Sequence, residues 1–152
     1  MLCFLKHPRS LIEDLGERLS SGATIAFNDY YALDYEMVPG AAVFDRVIHA
    51  IRESWSVSGG DLSVQKKVPG WLESSGFRIQ SLKRLVEVAR PNNSFWYWPE
   101  TFFRVFLPKL VEMKLLQAND LPEFWEFWGE VSQKSDSFFM TPTMLDVIAV
   151  KV

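Results

Sequence analysis

The sequence predicts an α/β fold of about four strands with flanking helices and an aromatic helical insert. Three observations carry that expectation. Short apolar runs of strand length alternate with longer amphipathic stretches over the first 60 residues. A period-2 stretch at 77–83 and an apolar run at 144–152 supply two further strands. The roughly sixty residues between them are too many for a plain loop and hold most of the aromatic rings.

Taken in order, Met1 to Leu5 (MLCFL) form an apolar run with the signature of a strand buried on both faces. Pro8 announces a helix whose Leu11, Ile12, Leu15 and Leu19 share one face, with Gly22 just beyond its end. Thr24 to Phe27 read as the next strand, ending in Asn28-Asp29-Tyr30-Tyr31. Strand, helix and strand make one βαβ unit, expected to close as a parallel pair with a right-handed crossover. After Pro39-Gly40, the stripe Phe44, Val47, Ile48, Ile51 and Trp55 predicts a second helix, broken at 56–60 by Ser-Val-Ser-Gly-Gly. A short helix is expected over 69–75. Phe77, Ile79 and Leu82 then alternate with Arg78, Gln80 and Lys83 as a half-buried strand. Phe102, Phe103, Phe106, Leu110 and Val111 give the insert one helix, and Phe124, Trp125 and Trp128 a second after Leu121-Pro122. The pair is expected to lie over the sheet.

Composition limits the functional classes. With 152 residues, 48% hydrophobic and 23% charged, the chain reads as a single domain, with sheet portions at 1–93 and 140–152 and the insert at 94–139. A net charge of −3 argues against a sequence-independent nucleic-acid binder. No window has the ~18 apolar residues of a membrane span, and the amino terminus lacks the order of a secretory signal. A soluble, cytoplasmic chain is expected. Cys3 is the lone cysteine; it sits in an apolar run and reads as a buried small hydrophobe, while two histidines leave no metal set. Gly59-Gly60-Asp61 is not a phosphate cradle, and no nucleophile elbow, zinc-helix or P-loop motif occurs.

Two constellations could carry chemistry. Ligands of open α/β sheets sit beyond the carboxyl ends of parallel strands, which here are Lys6-His7-Pro8 and Asn28-Asp29-Tyr30-Tyr31. His7 could serve as a general base with Asp29 orienting it; alternatively His7 merely precedes a helix and Asp29 caps a turn. The second constellation is Phe95-Trp96-Tyr97-Trp98. Four consecutive large rings cannot all face inward, so they form either a satellite core or the wall of a substrate pocket.

Read in order, these residues resemble the carboxyl-terminal half of a class I S-adenosylmethionine-dependent methyltransferase. MLCFLKHPRSLIEDLGERLSSGATIAFNDYY is similar to that fold's fourth strand, helix and fifth strand. GGDLSVQKKVPGWLESSGFRIQSL, with Gly76-Phe77, is similar to the approach to the sixth strand, and MLDVIAVKV to the antiparallel seventh. The insert, with Trp96, Trp98 and Phe138-Phe139, is similar to the helical lid of some small-molecule members. The resemblance implies a partial Rossmann-like sheet with its last strand antiparallel. It also implies S-adenosylmethionine as cofactor, with Leu5, Lys6 and His7 near its methionine end. A small-molecule methyl acceptor would meet Asn28, Tyr30, Tyr31, Trp96 and Trp98. The family's glycine-rich loop and the acidic residue after its second strand are missing, which implies a truncated, substrate-side portion inactive alone. The unpaired first strand would then be a bare hydrophobic edge, so a homo-oligomer joined through residues 1–5 is expected. The competing reading is a non-catalytic binding or assembly module that uses the aromatic insert; a hydrolase built on His7 and Asp29 lacks a nucleophile.

Overall fold

The computed structural model describes residues 2–152; the expectation for Met1 lies outside them. In chain order the elements are α1 (Pro8–Arg18), β1 (Thr24–Ala32), β2 (Glu36–Val38), α2 (Ala42–Val57), α3 (Val68–Ser74) and β3 (Phe77–Leu85). They continue with β4 (Val88–Ala89), α4 (Tyr97–Glu112), α5 (Asp120–Ser132), β5 (Phe138–Met140) and β6 (Thr143–Lys151). Mixed α/β character is thus present, and the chain divides into two compact units. The first comprises residues 2–33, 59–86 and 142–152; the second comprises 34–58 and 87–141.

In the first unit β6 lies between β1 and β3 and is antiparallel to both, with Thr24 opposite Val150 and Phe77 opposite Lys151. β1 and β3 therefore point the same way. The final strand is antiparallel, as the resemblance implies. Alternation then fixes one core face: Phe77, Val147 and Ala149 are buried, and Ile25, Phe27 and Ile79 pack against them. Ile12 of α1 and Val68 and Leu72 of α3 cover this face, and all three are fully buried. Each such side chain contributes about 1.5–3 kcal/mol of burial. α1 and α3 come together at Gly16, where an added Cβ would lie 2.5 Å from the Ser75 carbonyl oxygen. Only glycine permits that approach.

Both outer strands carry a one-residue bulge against β6. On β1 the register shifts between Tyr30 and Ala32, leaving Tyr31 as the extra residue. On β3 it shifts between Ile79 and Ser81. The second bulge explains why the apolar positions in sequence run 77, 79 and then 82 rather than 81.

The opening run departs from expectation. Leu2–Phe4 form a single 3₁₀ turn, closed by the Leu5 N–H donating to the Leu2 carbonyl at 3.0 Å, and not a strand. The reason is a side chain in β1: the Asp29 carboxylate accepts the Cys3 N–H at 3.1 Å, so this backbone group is satisfied without a ladder. The Cys3 carbonyl accepts from the Asp61 N–H at 3.0 Å. Leu2 and Cys3 enter the core while Phe4 stays 65% exposed. The parallel βαβ pair is consequently absent, since β1 pairs with β6 instead. Among the described residues, the edge strand invoked for a homo-oligomer through residues 1–5 is absent as well. Rather than one sheet of four strands, the described residues form two three-stranded antiparallel sheets. Asn28 to Tyr31 are also not a loop beyond a strand end, because β1 runs on to Ala32.

The second unit contains the smaller sheet, in the order β2–β5–β4, with Met37 and Ala89 both opposite Phe139. Strands of two or three residues were not legible in the sequence. Around Phe139 the rings of Phe44 (α2), Phe103 (α4) and Phe124 and Trp128 (α5) form a continuous aromatic core. Phe103 lies 4.9 Å from Phe124 and 5.4 Å from Trp128, centroid to centroid. Arg46 of α2 bridges Asp120 (3.0 Å) and Glu123 (2.6 Å) of α5. The aromatic segment 94–139 lies wholly in this unit, and its two helices fall where the ring spacing predicts them.

Candidate functional site

The sequence-derived residues fall into three groups. Leu5, Lys6 and His7 are exposed between the opening turn and α1, where His7 occupies the N-cap position with no side-chain capping bond. Asp29 is 2% exposed within β1. Its Oδ2 accepts the Cys3 N–H and its Oδ1 the Tyr30 N–H at 2.9 Å. Burial on its own pushes this carboxyl up, but the hydrogen bonds it accepts, these two among them, hold it below the ordinary carboxylate range. An ionised carboxylate committed to backbone donors positions the chain rather than abstracting protons. It also acts on Cys3: burial, then the hydrogen bond and charge of Asp29, push the thiol up to about 11. A protonated, fully buried thiol is no nucleophile. Cys3 is therefore expected to react with Ellman's reagent only as fast as the first unit opens, a rate to be compared with amide exchange of the same residue.

Among the residues assigned to a substrate, Asn28 is exposed and donates from Nδ2 to Asp146 Oδ1 across the β1–β6 pair at 3.1 Å. Tyr30 packs against the core of the first unit. In the second unit Trp96 is 4% exposed, stacks on Trp128 at 4.7 Å and donates from Nε1 to Ser132 Oγ at 3.1 Å. Trp96 is core. Trp98 is 42% exposed and lies parallel to Phe95 at 5.8 Å.

Tyr31 meets a cavity. An open-sided cleft of about 400 Å³ lies in the first unit against the far ends of β1 and β3. Tyr31, placed by the bulge, and Leu82 and Leu145 from the sheet form one side; Gln65, Lys66 and Pro69 form the other, and Arg84 completes it. The segment bearing Gln65 is clamped locally. Asp61 Oδ1 accepts from the Ser63 N–H at 2.8 Å and the Ser63 hydroxyl at 2.7 Å, while Oδ2 pairs with Lys67 Nζ at 2.7 Å. Burial pushes Asp61 up, but Lys67 and Ser63 hold its carboxyl below the ordinary range. Gln65 itself is fully buried, and neither its amide nitrogen nor its oxygen finds a hydrogen-bond partner in the protein. Sequence reasoning passed over it, although a signal existed: Gln65 lies three residues before Val68 and seven before Leu72, a polar residue in phase with an apolar face.

The fit to the cofactor implied by the resemblance is poor. A sulfonium nucleotide of that class needs a glycine-rich turn leading from a strand into a helix. Here β1 runs into Leu33-Asp34-Tyr35 and β3 into Val86, and the positive-φ glycines (Gly22, Gly59 and Gly76) lie in other turns. These residues do not build the main cofactor site. Among the described residues no helix is long and apolar enough to cross a membrane.

No protein-family model matches the sequence, and no curated protein matches it. Among solved structures, the chain is similar to a crystal structure from Bacillus halodurans C-125, of a protein provisionally named a methyltransferase. The TM-score is 0.50 at 12% identity, over 99% of this chain. The chain spans 65% of that neighbour's length. At this identity the likeness concerns the fold alone: the chain has a methyltransferase-like fold.

Proposed function

We propose that this chain is the substrate-side portion of an S-adenosylmethionine-dependent methyltransferase fold acting on a small molecule, without methyl transfer by this chain alone. The observation that carries the reading is the reversed β6, held between two codirectional strands; the sequence resemblance implies an antiparallel last strand. The B. halodurans neighbour supports the same fold. In this reading Lys6 and His7, both exposed ahead of α1, face the methionine end of the cofactor. His7 is the base where the acceptor must lose a proton, and Asp29 fixes the turn that presents them. Calorimetry tests the claim: titrating S-adenosylmethionine into the chain is expected to give no saturable heat at submicromolar affinity. Submicromolar binding would refute the absence of a main cofactor site.

One observation favours a second reading, a binding module in the aromatic unit: the Phe95–Trp98 stack with Trp98 42% exposed. Since Trp96 is core, Trp98→Ala is the discriminating change, and under this reading it removes binding of an apolar ligand while leaving the circular dichroism unchanged.

A further inference from the structure

We propose that the cleft of the first unit binds a small neutral molecule with a lactam edge, an N–H beside a C=O in one planar ring. The lactam carbonyl accepts from the Gln65 amide nitrogen, the lactam N–H donates to the Gln65 amide oxygen, and the ring lies among Pro69, Leu82 and Leu145. The assignment does not depend on the methyltransferase reading.

Three features converge on it. The first is the Gln65 amide, which is fully buried with both its donor and its acceptor unmet in the protein. A buried carboxamide without partners is destabilising, and an apolar side chain of similar size would serve the core better. Gln65 lines the cleft, which is the space from which a partner can come. The terminal torsion of a glutamine is broad, and since this amide holds no hydrogen bond, turning it toward the cleft breaks none. A carboxylate offers acceptors alone and an ammonium donors alone, so either would leave one of the two atoms orphaned. A lactam edge sets a donor and an acceptor side by side and meets both.

The second feature is that the charged groups do not select an ion. Lys66 Nζ sits 5.1 Å from the centre of the Tyr31 ring, and Arg84 Nη2 donates to Thr143 Oγ1 at 3.1 Å, so both cations lining the cleft are already engaged. The acids Asp29, Glu87 and Asp146 stand within three residues of Tyr31, Arg84 and Leu145 along the chain. The third feature is a fixed shape. Pro69, Leu82 and Leu145 give apolar walls, and the volume of about 400 Å³ lies within the range of small-molecule sites. The segment that bears Gln65 is held by Asp61, through Ser63 on one side and Lys67 on the other, so the amide is presented from a braced turn.

The test uses the full chain, isotopically labelled, with 2-pyridone as probe. N-methyl-2-pyridone, which lacks the donor, and benzoate, which carries charge, are the comparators. 2-Pyridone is expected to shift the Gln65 side-chain amide resonances saturably. The N-methyl compound is expected to bind about tenfold more weakly, because it leaves the Gln65 oxygen stranded, and benzoate more weakly than 2-pyridone. Gln65→Leu is expected to raise the unfolding temperature and to erase the preference for 2-pyridone over its N-methyl form, read at the Tyr31 backbone amide. The proposal is overturned if 2-pyridone gives no saturable shift at Gln65, or if the N-methyl compound or benzoate binds the parent chain as tightly. A preference that survives in Gln65→Leu overturns it too. The comparison of the two pyridones in the parent chain decides the matter even where the variant fails to fold.

Discussion

Phe103→Ala is expected to cost the second unit about 3–5 kcal/mol, a large share of the ~5–15 kcal/mol that holds a typical domain folded. Phe103 is fully buried, and its ring meets those of Phe44, Phe124, Trp128 and Phe139 from two other helices and a strand. Truncation removes the transfer energy of the ring and leaves a cavity that four stiff aromatic neighbours cannot fill by rotating. It also removes edge-to-face contacts worth about 0.5–1.5 kcal/mol per pair. Urea unfolding followed by tryptophan fluorescence reads the effect, because Trp71 alone among the tryptophans lies in the first unit. Trp98→Ala serves as the control, expected to shift the midpoint little. A Phe103→Ala transition within the error of the parent would show that these rings are not the core.

Asp29→Ala should lower the stability of the first unit by about 2–4 kcal/mol, since hydrogen bonds to a charged acceptor are worth ~1.5–3 kcal/mol and their loss strands buried donors. The Cys3 and Tyr30 N–H groups both rely on this carboxylate. The sign of the pH dependence follows from the direction of its shift. A carboxyl held below its unfolded value of ~3.9 binds fewer protons folded than unfolded, so its stabilisation is present above that value. It fades as pH falls through the lower, folded value. Stability of the parent is therefore expected to fall on acidification below pH ~4, and Asp29→Ala to flatten that slope. Unchanged stability at pH 7 together with a retained acid slope would mean that Asp29 is not the anchor of the opening turn. The experiment also separates roles: a residue acting only in chemistry could be removed without cost to the fold.

Much of the architecture was legible because it rests on periodicity. The stripe from Phe44 to Trp55, the ring spacing of α4 and α5, the alternation of Phe77 and Ile79 and the run ending at Val152 each specify an element by the repeat of their apolar residues. The candidate site was far less legible. Trp96, read from sequence as either satellite core or substrate wall, is core, because the identity of a ring does not say whether a stacking partner such as Trp128 will reach it. Gln65 is fully buried with neither atom of its amide hydrogen-bonded within the protein, and its spacing to Val68 and Leu72 marks burial but not the lack of a partner.

Residues 2–5 mark the boundary between the two kinds of information. Their composition alone fixed that the run must be buried in part, and Leu2 and Cys3 are buried. Whether burial came through a strand or a turn depended on an acceptor 26 positions away, the Asp29 carboxylate that takes the Cys3 N–H. The same holds for pairing. The apolar pattern at 24–27 determined a strand, but its partner was decided by which strand could satisfy its backbone, and that was β6. Local sequence sets which residues avoid water and with what repeat. Tertiary contact decides where each polar group finds its partner, because hydrogen bonds are short and directional and their partners are brought close only by the folded chain.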